Sequence, residues 1–241
     1  MEHIEGKSQS NPSANRRDPR LYHIASLGTL LAYGLFWLHF DLSLWQIAVT
    51  IGTALLTQYA GTRYAKLPCF DPKSALISSL SLCILLRTDH LAIEALASVV
   101  AIGSKFVFRW NDKHLFNPTN LALAIALASG MGWISPGQWG QVAWFGFLIA
   151  CLGSLVVTRA ARADVTFAFL AVYVSLLFAR ALWLGDPLTI PFHQIESGAL
   201  LIFAFFMISD PKTTPDSRIG RIIFALCVTL AALYVQFGLF R

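Results

Sequence analysis

The chain is written in long apolar stretches separated by short polar ones, and within each stretch the apolar residues run on rather than alternate with polar ones. Continuous runs of this length predict helices and argue against a β-barrel. Nine segments follow from the pattern: 21–40, 42–62, 74–87, 89–108, 117–134, 142–158, 165–184, 196–209 and 222–239. The predicted fold is all-α, a polytopic membrane protein with about nine transmembrane helices. Residues 1–20 are polar and rich in Ser, Asn and Pro, which predicts a disordered cytoplasmic tail and no signal peptide. Residues 21–241 read as a single transmembrane domain.

Two of the segments are short. Residues 74–87 and 197–210 each hold fourteen residues. At 1.5 Å rise per residue each reaches roughly 21 Å, against about 30 Å of hydrocarbon. Both open on Ser followed by small residues, and a proline precedes each, Pro68 and Pro191. Paired short spans of opposite direction predict an inverted repeat with two broken helices, the pseudo-repeats covering about 42–134 and 142–239. Their N-termini, at Ser74 and Ser197, would turn backbone N–H groups toward a polar or anionic ligand.

Composition agrees with this class. Charged residues make up 13% of the 241 residues and hydrophobic ones 56%, where a soluble domain carries roughly 25% charge. Trp37, Trp45, Trp133, Trp139, Trp144 and Trp183 suit interfacial anchoring. With the N-terminus cytoplasmic and the C-terminus outside, fifteen of the eighteen lysines and arginines fall on the inner side, as the positive-inside rule asks. The net charge of +5 is then explained by the anionic inner leaflet, and no nucleic-acid partner is expected. Cys69, Cys83, Cys151 and Cys227 form no CxxC, and the six histidines are scattered, so no metal centre is predicted. Nothing has the form of a nucleophile with its base, and no catalytic residue is assigned.

Polar chemistry concentrates at a few places. The segment 105–118 packs cations, aromatic rings and an Asn-Pro pair into a predicted membrane boundary. Lys105 can snorkel to the interface or neutralise an anion. Asn117 before Pro118 is a good N-cap, and its amide can equally bond a ring edge or a carbonyl. Asp210 sits at a helix end where the dipole disfavours an anion, so it needs a partner such as Lys212, Arg218, Arg221 or Lys105. Arg87 can pair with Asp89, and Glu94 lies about one turn inside a span, where a carboxylate is paired, protonated or functional. Arg87 and Glu94 are therefore candidates for an ion or charge pathway. Residues 135–140 read as a turn.

Three stretches resemble one family. Gly103-Ser-Lys105 with Phe108, followed by Phe116-Asn117-Pro118, is similar to a pattern of the NqrB/RnfD family, membrane subunits of the sodium-pumping NADH:quinone oxidoreductase and the Rnf electron-transport complex. Phe205-Phe-Met-Ile-Ser-Asp210-Pro211 resembles the family's Phe-Phe-Met-Ala-Thr-Asp-Pro, and Ser74-Ala-Leu-Ile-Ser is a weaker third match. The matches run in the family's order over roughly residues 70–225. The resemblance implies an inverted-repeat bundle that holds flavin, passes electrons, works among other subunits of a redox complex in the inner membrane of a bacterium, and couples to ion movement. On this implication Lys105 and Asn117 hydrogen-bond the isoalloxazine edge, Phe116 stacks, and Asp210 and Thr213 fix the opposing loop. The chain departs from the family where covalent FMN is carried on a Thr. It has Ser129-Gly-Met-Gly-Trp there, so a short, divergent member is expected, with riboflavin or FMN held non-covalently and no covalent FMN. Two other readings stand beside this one. In a secondary transporter for a small solute or ion, Asp210, Glu94 and Arg87 would be ligands. A structural or assembly subunit would bind nothing.

Overall fold

The computed structural model describes residues 18–110, 113–134 and 143–239, the side chains of 143–145 excepted. The predicted tail through residue 17, the turn at 135–140 with Trp139, the side chain of Trp144, and Arg241 lie outside the described residues.

The described chain is helical, and each of the nine apolar segments contains a helix. Local chemistry sets most of the starts. Asp18 accepts from the Arg20 amide ahead of α1 (Pro19–Phe36). Ser43 and Gln46 form a reciprocal capping box on α2 (Leu44–Tyr64). Asp71 and Pro72 open α3 (Pro72–Leu85). α4 covers Leu91–Val107, and Asn117 caps α5 (Pro118–Ala128), its Oδ1 accepting from the Asn120 amide at 3.1 Å. α6 (Ala143–Arg159) and α7 (Ala163–Leu184) follow, α7 ending on Gly185 at φ 72°, which a glycine adopts freely. Ser217 caps α10 (Arg218–Leu233).

Four features go beyond the hydrophobic pattern. A short helix, α8 (Thr189–Ile195), precedes the second short segment. That segment is α9 (Gly198–Ile202) continuing into a π-helical turn, Phe203–Met207. The widened turn leaves a carbonyl at Ala204, and Thr166 of α7 donates to it at 2.7 Å. α10 also runs into a π turn, Tyr234–Gly238. Finally, Arg109–Trp110 (β1) and Lys113–His114 (β2) pair antiparallel between α4 and α5.

By length and apolarity, α7 with 22 residues and Arg218–Gly238 with 21 are each sufficient to cross a membrane; α8 with Gly198–Met207 makes a third candidate, bent by 50°. Three helices are apolar but shorter, α3, α5 and Gly146–Arg159 of α6, while α1, α2 and α4 fall in neither group.

α3 is the most enclosed element. Its residues 78–85 are all buried, between α1, α2, α4 and α5. α2 packs on α4 and α7 on α10, the latter joined by Tyr173 donating to Gln236 at 2.8 Å. Phe169, 1% exposed, stacks on Tyr173 and meets Phe203 edge-on, tying α7 to the π turn.

Candidate functional site

One end of the bundle holds a cavity of about 580 Å³. It collects the C-terminal ends of α2, α4 and α6, the N-terminal ends of α1, α3 and α5, and the stretch 209–212 after the π turn. The start of one short helix, at Ser74, and the end of the other, at Asp210, therefore meet at one place.

Lys105 reaches this cavity from the last turn of α4. It is only 5% exposed and donates to the carbonyl and hydroxyl of Ser74, at 2.9 and 3.0 Å. It has not snorkelled outward. Asp210 and, less strongly, Asp71 favour its charge through space rather than by a direct ion pair. Asp210 accepts from the Lys212 amide at 2.9 Å and faces the Asn117 side-chain amide at 3.4 Å. Asn117 thus has both roles read from the sequence: its oxygen caps α5, and its nitrogen points to Asp210 and to the Met207 carbonyl. Arg221, one of the partners considered for Asp210, instead forks onto Asp164 at 2.6 to 3.0 Å.

The β1–β2 hairpin joins the two motif regions. The His114 amide donates to the Lys212 carbonyl at 3.0 Å, and Lys113 bonds the Thr214 carbonyl and Asp216 at 2.8 and 2.6 Å. Arg162 donates to the Thr214 hydroxyl at 3.1 Å. The loop after Asp210 is held from two sides.

Other expected site residues lie elsewhere. Phe116 is half exposed, stands edge-on to Phe108 at 5.9 Å and does not line the cavity; Phe106 and Phe206 supply its aromatic wall. Thr213 donates to the Asp210 carbonyl at 3.2 Å and shapes the loop from behind. Ser197 starts α9 and lies away from the cavity. Arg87 caps α3 by donating to the Cys83, Leu86 and Ile84 carbonyls and lies over the Phe40 ring, 5.4 Å from its centre.

The cavity has contributors that sequence reading passed over. Gln58 of α2, His23 of α1 and His114 line it, and each has a buried polar atom with no hydrogen-bond partner within the protein. Buried polar atoms are rarely left so. Gln58 had a signal: Thr50, Ala54, Gln58 and Thr62 recur every four residues and are the buried face of α2. Arg20, salt-bridged to Asp18 and Asp71, and Arg159, over the Tyr22 ring, stand at the mouth.

Burial pushes the His114 imidazole down to about 4, and Lys105, Arg109 and Lys212 act in the same direction. The ring is neutral at neutral pH. Because the folded state disfavours its protonation, the stability it contributes is complete above about pH 6.5 and is lost as pH falls from there toward about 4. His114→Gln should flatten the thermal midpoint across that window. An unchanged acid slope in the variant would remove His114 as the cause.

A helical bundle with a deep polar cavity, walled by two sequence motifs from opposite halves, is the class defined so far. Residues 130–238 match the model of the family described as NQR2, RnfD, RnfE family. A relative from Escherichia coli (strain SMS-3-5 / SECEC), the D-type subunit of an ion-translocating oxidoreductase complex, is 35% identical over 115 residues, which is 46% of this chain and 30% of the relative. The protein of the same description from Salmonella paratyphi B is 34% identical over 116 residues, 46% of this chain and 29% of that one. The matched stretch thus spans under a third of these relatives' length. Residues 130–238 are thus similar to the family the motifs resemble; the Asp210-Pro211 motif lies inside the matched residues and the Asn117-Pro118 motif before them.

Proposed function

We propose that the chain is a membrane-spanning subunit of an electron-transfer complex, similar to its relatives in the ion-translocating oxidoreductases, and that it holds a flavin non-covalently in the 580 Å³ cavity. In this reading all nine apolar segments cross or enter the inner membrane of a bacterium as an inverted repeat. The cavity opens to the cytoplasm, and other subunits of the complex supply and remove electrons.

The observation that carries the reading is the convergence of Lys105, Asn117 and Asp210 on one cavity from the two motifs. The residues fit the group. The volume lies within the usual range of small-molecule sites, roughly 300–1,000 Å³. Phe106 and Phe206 offer apolar faces. Gln58 and Lys105, which line the cavity, offer polar contacts for the edge of a planar ring. A flavin there would supply one- and two-electron transfer. The protein's part is to orient the ring, to exclude water from it, and to keep the Lys105 charge beside it against the Asp210 carboxylate.

The absorbance spectrum of the detergent-purified full chain, before and after adding riboflavin or FMN, tests this. A flavin spectrum that is lost to the supernatant on denaturation is expected. Protein that is colourless as purified and takes up neither flavin would sink the reading. The bent α8 and α9 pair, with a second cavity of about 390 Å³ at the opposite end of the bundle, favours the transporter alternative. Solute uptake by flavin-free proteoliposomes would establish it.

A further inference from the structure

The β1–β2 hairpin brings a second chemistry to the mouth of the cavity. In its register Arg109 stands directly opposite His114, so the two side chains leave the same face of the pair. The His114 amide donates to the Lys212 carbonyl at 3.0 Å, which fixes residue 212 beside them. Arg109, His114 and Lys212 all line the cavity. Arg109 and Lys212 are exposed, on its rim, while Lys105 is buried further in.

This packing sets like charges around a polar group that lacks a partner. Nδ1 of His114 is buried and has no hydrogen-bond partner within the protein. Lys105, Arg109 and Lys212 all act against protonation of the ring, so three cations lie around a neutral imidazole. The Lys212 ammonium makes no salt bridge among the described residues, and Lys105 spends its bonds on Ser74. Of the carboxylates that line the cavity, Asp18 and Asp71 both hold Arg20. Asp210 remains, and it acts on Lys105 and Lys212 through space. Asp216 instead takes Arg162 and Lys113, the latter from the other face of the hairpin. The positive-inside rule accounts for cations at this end of the bundle. It does not account for Arg109 and Lys212, from opposite halves of the chain, being packed about one histidine, where like charges held together cost stability.

The geometry points to an anion subsite, in which Arg109, His114 and Lys212 hold the phosphate of a phosphomonoester whose other end lies at Lys105 and Asn117. A phosphomonoester carries a charge of about −1.5 to −2 at neutral pH and three strong acceptor oxygens. A guanidinium fork, an ammonium and an imidazole N–H supply a donor for each. A carboxylate would bring one charge and two oxygens, and would leave one of the three donors unmet. The rim position suits a dianion, because its free oxygens keep their contact with water. On the flavin reading the ligand is FMN, and riboflavin, which ends in a hydroxyl, lacks the group that the subsite takes. The inference rests on that reading for the ring, and on the three side chains for the phosphate.

The affinities of the detergent-purified full chain for FMN and for riboflavin, read by fluorescence quenching, test it. FMN should bind about tenfold tighter or more, as hydrogen bonds to a charged group would give, and added salt should shrink the margin. Arg109→Gln and Lys212→Gln should each lower the ratio of the two affinities several-fold, and the double variant should bring it close to one. The ratio stays readable in a destabilised variant, because a weakened fold lowers both affinities together. Equal affinities in wild type, or an FMN preference untouched in the double variant, would overturn the subsite and leave the flavin reading standing. Displacement of FMN by phosphatidylglycerol in mixed micelles, but not by inorganic phosphate at the same concentration, would give these cations to a lipid headgroup and overturn it too. If neither flavin binds, the flavin reading falls and inorganic phosphate becomes the probe. It should raise the thermal midpoint of wild type above that in chloride at equal ionic strength, and not that of the double variant. Without that rise the subsite falls as well.

Discussion

On the flavin reading proposed above, Asp210→Asn will lower riboflavin affinity ten- to a hundredfold while leaving the fold in place. The fold survives because the loop is built on atoms that asparagine retains. The backbone carbonyl of residue 210 accepts from the amides of Thr213 and Thr214 at 3.1 Å each, and from both hydroxyls. Oδ1 can still accept from the Lys212 amide. What asparagine removes is the negative charge set against Lys105. That lysine is buried, and with its carboxylate gone its charge becomes costly, so the donor that orients the ring is weakened. Burial pushes the Asp210 carboxyl up, and the Lys212 amide, the Lys105 and Lys212 charges and the Asn117 amide offset it only in part. Interactions with charged groups contribute about 1.5–3 kcal/mol, and about 1.4 kcal/mol is a factor of ten in affinity. Riboflavin titration followed by fluorescence quenching, with thermal midpoints as the control, measures it. Equal affinity in wild type and variant would mean that the ligand does not use this pair.

Gly153→Ala should lower the thermal midpoint by several degrees, and Gly153→Leu should prevent recovery of folded protein. A Cβ on Gly153 would fall 2.5 Å from Cγ of Phe205 and 2.9 Å from its Cδ1. The ring root of Phe205 cannot swing away, so α6 and the π turn must separate. Overpacking of this kind costs about 1–3 kcal/mol, more than the roughly 0.5–1 kcal/mol that alanine gains over glycine within a helix. The displacement reaches the site, because Phe205 lies five residues before Asp210 on the same buried run and α6 lends Val156 and Arg159 to the cavity. Gly103→Ala is the control: its Cβ would meet nothing within 4 Å, so it should be neutral or slightly stabilising. If both glycines respond alike, close approach of α6 to the π turn is not the reason for Gly153.

Much of the site's membership was legible in the chain, for two different reasons. Asn117 before Pro118 is a local capping signal, and the structure uses it as one. Asp210 was conspicuous because a carboxylate at a helix end needs a partner. Phe116 shows where local reading stops: it adjoins Asn117, but the chain turns into the hairpin there and leaves the ring half exposed beside Phe108. The hairpin depends on Lys212, almost a hundred residues on, and the π turn at 203–207 has its freed carbonyl met by Thr166. Neither contact leaves a mark in the local pattern.

The sequence by itself determined the helical class, the places of the nine apolar segments, and which polar residues were too costly to be incidental. Those follow from hydrophobic length and from caps, which act over a few residues. Only the tertiary structure decided which of the polar residues share a cavity. It set Lys105, Asn117 and Asp210 around one space, added Gln58, His23 and His114, and left Ser197 apart. The reason is physical: a buried polar group is satisfied by whatever the packing brings within about 3 Å, and packing joins residues that the chain keeps far apart.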